Sequence, residues 1–267
     1  MRSILRCCAR HRLLAKILLI VLICGAYTWM ISDIDAPIWA FVVLNGALIF
    51  IINTYVDACG QYLLKKPLKI LKDQCNPYPF LEETQELLGY SNSKAADLAL
   101  RINHAMAMRE IGDFQHAWAI LSTIHIDQLP GTLPSVKVVY YNNLADVLTL
   151  LDRFDEAEIW SKKAQEIYHD MPNNKFKREL AQAMELSKAD QAYRTGDYDR
   201  AKEILDHTPV TDLRAQVDAA WLHARCCIAL GENQKAKEKL LFIIQNGNKL
   251  WCVDWAQECL QNIGDLR

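Results

Sequence analysis

His223 and Cys227 stand four residues apart, the spacing that puts two metal-binding side chains on one face of a helix. They form the sequence's best candidate for metal chemistry. The repeat register described below places both at core-facing helix positions, where small or buried residues belong. No metal site and no cofactor are therefore expected. The other cysteines among the nine are scattered: Cys7 and Cys8 in a basic N-terminal arm, Cys24 in an apolar run, Cys59 and Cys75 in a connector, and Cys226, Cys252 and Cys259 near the C-terminus. No C-x-x-C pair occurs, and a reducing cytoplasm disfavours a disulfide framework. Cys7 and Cys8 would be acylation candidates in a eukaryotic source; the simpler reading is plain juxtamembrane residues. The sequence contains no Gly-rich phosphate loop, no H-E-x-x-H and no G-x-S-x-G. No histidine pairs with a Ser or Cys nucleophile in a readable arrangement. No catalytic residues are assigned, and an enzyme is not expected.

The elements that would carry any site divide sharply. Between Leu13 and Val56, 33 of 44 residues are apolar. Residues 1–72 carry nine Lys/Arg against three Asp, a net +6, while residues 73–267 carry 21 against 29, a net −8. Leu13 to Ile31 is 19 residues with one charge, Lys16, near its start. Ala36 to Val56 is 21 residues without a charge, or roughly 31 Å of helix, close to the ~30 Å hydrocarbon core. The pair reads as a transmembrane helical hairpin with a tight Ser32–Pro37 turn. Arg2, Arg6, Arg10 and Arg12 precede it and Lys65, Lys66, Lys69 and Lys72 follow it, whereas the turn has no Lys or Arg. Both termini are then cytoplasmic. A cleaved signal peptide over residues 1–31 is the competing reading; no small-x-small cleavage site follows the apolar run. Asn45, Gly46 and Asn53 either meet a partner helix or pack the hairpin on itself.

A self-similar pattern fills the rest. Gly112-Asp113-Phe114-Gln115-His116-Ala117 recurs as Asp152-Arg153-Phe154-Asp155-Glu156-Ala157, as Gly196-Asp197-Tyr198-Asp199-Arg200-Ala201 and as Gly231-Glu232-Asn233-Gln234-Lys235-Ala236. The final alanines are 40, 44 and 35 residues apart. Twelve residues before each stands another: Ala105, Ala145, Ala189 and Ala224. Four residues after each stand Leu121, Ser161, Leu205 and Leu240. Small residues let two facing helices approach, Gly permits the tight interhelix turn, and the aromatic is expected to fill the base of that turn. Helix pairs are predicted at 93–110 and 115–126, 135–151 and 155–170, 175–195 and 199–207, and 212–230 and 234–246. A last helix, 250–263, should cap the open end of the stack. Pro67, Pro77 and Pro79 are expected to break any continuous helix in the connector, with a short helix near Phe80–Leu88 as an N-terminal cap. Eighteen Gly and Pro in 267 residues are too few for a turn-rich β fold.

The pattern resembles the tetratricopeptide repeat (TPR) family, whose unit is a helix–turn–helix of about 34 residues. The resemblance covers roughly residues 93–247. The fourth copy departs from it in having Asn233 at the turn aromatic. The layout is also similar to small bacterial membrane proteins with a two-helix hairpin and a cytoplasmic repeat domain. The resemblance implies an all-α chain: a basic arm (1–12), a transmembrane hairpin (13–58), a juxtamembrane connector and N-terminal cap (59–92), and a repeat domain (93–267). That last part is an α-solenoid of about four helix pairs with a C-terminal capping helix.

In this family the first helix of each repeat lines a concave groove. Carried over by register, the groove residues are Met106 and Arg109, Asn142 and Asp146, Asp190 and Tyr193, and Trp221 and Arg225. Ile102, Thr149, Leu186 and Ile228 occupy the same register. Such a groove suits a peptide or helix of a protein partner. Ile102, Asp146 and Asp190 take positions that a carboxylate clamp would fill with basic or Asn residues, so a C-terminal carboxylate is disfavoured. The acidic repeat half argues against nucleic acid, and no small-molecule substrate is expected. The sequence therefore suggests a scaffold held in the bilayer, binding a protein at the cytoplasmic face. The alternative is an accessory subunit of a membrane transport or assembly complex in which the hairpin is the working part.

Overall fold

A computed structural model describes residues 12–31, 38–88, 94–128 and 133–265, with only part of the side chains in the two N-terminal helices. Among the described residues there is helix and no strand. Helix α1 is Arg12–Ile31, α2 Ile38–Gln74 and α3 Tyr78–Leu88. Four pairs follow: α4 (Lys94–Glu110) with α5 (Phe114–Ser122), α6 (Pro134–Leu150) with α7 (Phe154–Asp170), α8 (Lys175–Arg194) with α9 (Tyr198–His207), and α10 (Leu213–Ala229) with α11 (Asn233–Asn246). Helix α12 is Cys252–Asp265.

The four recurring hexapeptides fold alike for a reason the backbone shows. In each turn one N–H reaches back five residues: Asp113 to Met108 at 3.0 Å, Arg153 to Leu148 at 2.9 Å, Asp197 to Ala192 at 2.9 Å and Glu232 to Cys227 at 2.8 Å. The residue before it bonds back three, as Gly112 does to Arg109. This is the Schellman arrangement, and it needs a left-handed residue just past the helix end. Gly112, Gly196 and Gly231 supply it with φ of +88°, +82° and +71°. Asp152 supplies it in the second pair at φ 56° without being glycine. The next residue then starts the second helix; Asp113 and Asp197 accept hydrogen bonds from the N–H groups of His116 and Arg200. The eight register alanines, Ala105, Ala117, Ala145, Ala157, Ala189, Ala201, Ala224 and Ala236, are each at most 3% exposed. Leu121, Ser161, Leu205 and Leu240 are buried with them.

Several sequence expectations need correction. Helix α5 stops at Ser122, and a 3-10 turn follows at Ile126–Gln128. Phe154 is exposed rather than filling its turn. Pro67 does not break the connector: it lies inside α2, which continues to Gln74, and its ring is buried. A proline costs an interior helix one hydrogen bond; Pro67 stands one turn from Leu63 and one turn from Leu71, both buried. Pro79 lies in the first turn of α3, where a missing N–H is tolerated. Helix α3 packs on α4 through buried Phe80, Glu83, Thr84 and Leu87, and the Thr84 hydroxyl lies 3.0 Å from His104 Nδ1.

The largest departure is closure. The fourth pair does not end an open stack; it returns to the first. The Trp251 N–H donates to the Glu110 carbonyl at 3.1 Å, and Lys249 N–H to the Cys75 carbonyl at 3.1 Å. The Trp251 ring meets Phe114 edge-on at 5.0 Å. Leu71, Cys75 and Phe80 share one core with Val217, Leu222, Leu250 and Cys252. So α12 and the loop before it seal a seam between the ends of the repeat segment, where sequence analysis expected a simple end cap.

Among the described residues no helix is long and apolar enough to cross a membrane. The basic arm, the Ser32–Pro37 turn and many side chains within 13–58 lie outside the described residues. Within the hairpin, the Cys24 thiol donates to Asn45 Oδ1 at 3.1 Å, so Asn45 is engaged by the preceding helix.

Candidate functional site

The first helix of each pair faces inward, and closure converts the expected groove into a cavity of about 440 Å³. Helix α4 contributes Asn103, Met106 and Arg109; α6 contributes Asn142, Asp146 and Thr149; α8 contributes Leu186 and Asp190. Of the eight groove residues chosen by register, Met106, Arg109, Asn142, Asp146, Asp190 and Trp221 line this one space. Tyr193 and Arg225 do not. The Arg225 guanidinium instead lies 4.2 Å from the Tyr193 ring centre and 4.6 Å from that of Trp221. Trp221 is held edge-on by Trp251 and Trp255, at 5.3 and 6.1 Å between ring centres. Ile102 lines a second, shallower space of about 260 Å³ with Ala99, Val136 and Phe176. Asn103, Val139 and Leu180 border both spaces, so the second forms an apolar mouth to the first.

The floor is ionic. Arg109 Nη1 donates to Glu110 Oε1 at 2.7 Å, and Arg214 Nη2 donates to the same oxygen at 2.6 Å. Asp218 lies 2.8 Å from Arg214 and 3.6 Å from Arg109. On α8, Arg194 holds Asp190 at 3.0 Å and Glu158 at 3.0 Å, and Thr149 donates to Asp190. Lys72, at the end of α2, sits 3.5 Å from Asp212. Burial alone would depress the Arg109 and Arg214 pKa values, but the Asp218 and Glu110 carboxylates outweigh it and push both up. Asp146 is different. Burial raises its carboxyl to about 6; Arg109 opposes the rise, and Asp190 and Asp218 add to it.

Arg214, Asp218, Leu68 and Lys72 were not legible as site residues. Arg214 and Asp218 are an i,i+4 pair, which by itself reads as a solvated helix face. Arg214 meets Glu110 across 104 residues of chain, and only closure brings them together. No local sequence signal marks that contact.

At the paired His and Cys, His223 Nδ1 lies 3.8 Å from Asp206, and the Cys227 thiol donates to Glu232 Oε2 at 3.6 Å. His223 and Cys227 are buried, burial lowers the His223 pKa, and among the described residues no group of three His, Cys, Asp or Glu side chains could hold a metal ion. The Cys75 and Cys226 thiols are pushed by burial up to about 12, which removes them as nucleophiles at neutral pH. Compared with protein-family models, with curated proteins and with solved structures, the chain matches none.

Proposed function

We propose that this chain is a membrane-anchored, non-catalytic interaction module of TPR-like construction, whose ring of helix pairs takes a segment of a partner protein into its central cavity from the cytoplasmic face. One observation carries the binding part: six residues chosen only by repeat register converge on a single cavity with an apolar mouth. Convergence from four separate helices is unnecessary for packing alone, and a cavity of this size falls within the roughly 300–1,000 Å³ of ordinary ligand sites.

The anchor rests on the sequence of residues 13–58 taken whole, since the described residues alone furnish no span. It is supported by what α1 and the first half of α2 present outward. Leu14, Ile17, Leu18, Val21, Leu22, Val43, Phe50 and Ile51 are each more than half exposed, an apolar surface that water does not favour. The Cys24–Asn45 bond uses a polar group of the hairpin internally. That favours an anchor over a hairpin that recruits other helices.

The test is photo-crosslinking in native membranes from a reactive residue at Asn103, on the rim shared by mouth and cavity. One or a few discrete adducts are expected, and Met106→Trp, which fills the cavity, should remove them. Adducts unchanged by Met106→Trp would overturn the cavity as the binding place. Extraction of the chain by alkaline carbonate would overturn the anchor, as would failure of a Cys placed at Ser32 to label from outside intact cells.

A further inference from the structure

Each charge around the cavity can be followed to a partner, with one exception. Arg109, Arg214, Glu110 and Asp218 neutralise one another across α4 and α10. Asp190 is taken by Arg194, whose other partner, Glu158, is also held by Lys162 at 3.2 Å. Lys72 is answered by Asp212. Asp146 lines the cavity, yet among the described residues it makes no ion pair. Its one polar contact is a long hydrogen bond from Asn142 Nδ2, at 3.4 Å. The wall thus carries one carboxylate with no ion-pair partner within 4 Å, eased by Arg109 only at longer range. A partly buried charge without a counter-ion is costly, and nothing about packing two small-residue helices requires one here.

Three further groups nearby lack hydrogen-bond partners, but each has less than 1 Å² of accessible surface and is closed off from the cavity. Asn142 Oδ1 is a buried acceptor, and Arg109 Nε and Trp221 Nε1 are buried donors, none with a hydrogen bond in the structure. Arg109 and Trp221 are themselves more than nine-tenths buried. The Asp146 carboxylate, on the cavity wall, asks for a cationic side chain with N–H donors. The aliphatic part of such a side chain would lie along Met106, Leu150 and Leu186.

We propose that the cavity binds a basic amino-acid side chain, its guanidinium or ammonium group paired with Asp146. The inference rests on the cavity reading above but not on the ligand's being part of a protein, since free and peptide-borne cations share this chemistry. The raised Asp146 pKa is what an unanswered carboxylate in this place should show, and a bound cation would draw it down again.

The experiment is calorimetric titration of the full chain in lipid nanodiscs with three probes: the capped tripeptide Ala-Arg-Ala, the same tripeptide with citrulline for arginine, and free agmatine. Citrulline keeps the shape and removes the charge. Ala-Arg-Ala should bind at least ~30-fold more tightly than its citrulline counterpart, the loss ordinary for a buried charge pair left half-made. Asp146→Asn should erase that preference while leaving the melting temperature at pH 7 no lower than the parent's, which separates lost recognition from lost folding. Equal binding of the arginine and citrulline probes would overturn the proposal. So would an arginine preference that survives Asp146→Asn, or no binding of either cation at millimolar concentration. Agmatine binding without tripeptide binding would support the cation site and count against a protein partner. Crosslinked partners that persist while all three probes fail would do the reverse.

Discussion

Glu110 ties the first helix pair to the elements that close on it. It ends α4 and is 1% exposed. Its Oε1 accepts from Arg109 and from both Nε and Nη2 of Arg214, and its carbonyl accepts from Trp251. Glu110→Leu leaves the buried Arg109 and half-buried Arg214 guanidinium groups with Asp218 as their shared ion-pair partner. Removing one member of a buried ion network costs roughly 3–5 kcal/mol, a large part of the ~5–15 kcal/mol that holds a domain together. Glu110→Leu with Arg214→Leu removes one charge of each sign and leaves Arg109 opposite Asp218. Replacing a buried pair by packed apolar groups is often close to neutral, so the double variant should recover most of the loss. The assay is urea unfolding of the full chain in detergent, followed by tryptophan fluorescence, because Trp221, Trp251 and Trp255 lie together at the seam. Glu110→Leu is expected to lower the unfolding free energy by at least about 3 kcal/mol. A loss under about 1 kcal/mol would show that water reaches the network, as in an exposed ion pair. A double variant no more stable than the single would show that the excess positive charge is not the cause.

The turn geometry and the lone carboxylate give three more expectations, all read as unfolding free energies. Gly112→Ala should cost more than Gly231→Ala. Both positions have positive φ, worth roughly 1–2 kcal/mol to a non-glycine, but only at Gly112 does the new Cβ fall 3.0 Å from Trp251 Cβ, whereas nothing lies within 4 Å at Gly231. The reverse order would mean the seam yields freely. Asp152→Gly should stabilise by about 0.5–1 kcal/mol, because Asp152 holds a left-handed conformation at φ 56° that glycine adopts without strain; a loss of stability would assign Asp152 a contact that outweighs its backbone. For Asp146, the folded carboxyl titrates near 6 against 3.8 in its ordinary setting. The folded chain then binds the proton more tightly, so wild-type stability falls as pH rises through that window. Asp146→Asn should match wild type below about pH 4 and exceed it by up to about 3 kcal/mol above pH 6. A gap that does not change with pH would place the Asp146 carboxylate in water.

The repeats are legible because their signals are local. Glycine at a left-handed turn position and two alanines twelve residues apart report on contacts within one helix pair, and the register alanines are buried as a set. Asp152 breaks the glycine pattern, yet its copy was identifiable from Phe154 and Ala157 around it. What stayed hidden depends on distance along the chain. Trp251 on Gly112, Arg214 on Glu110 and Asn248 on the Gln74 carbonyl join segments more than a hundred residues apart. The repeat spacings of 40, 44 and 35 residues carry no angle from which closure after four pairs follows. Pro67 misled for a related reason. Its effect on a helix was judged locally, whereas its burial is decided by what packs around it.

Closure also changes what the groove is. In an open solenoid a bound chain lies along the inner face and meets every repeat in turn. Here α10 crosses the floor, with Arg214 and Asp218 tied to α4, and α2 supplies Leu68 and Lys72 to the wall. The apolar mouth beside Phe176 opens toward a floor lined with charge. That geometry selects one side chain and its near neighbours rather than a long extended segment. The wall and the segment read as the second span are parts of one helix, since α2 runs unbroken from Ile38 to Gln74. Twelve residues separate Val56 from Leu68, about 18 Å of helix. If residues 36–56 cross the bilayer, the cavity stands at a fixed short height above it. A partner bound there is then one that presents its basic residue close to the membrane surface, and neither the hairpin nor the ring sets that position without the other.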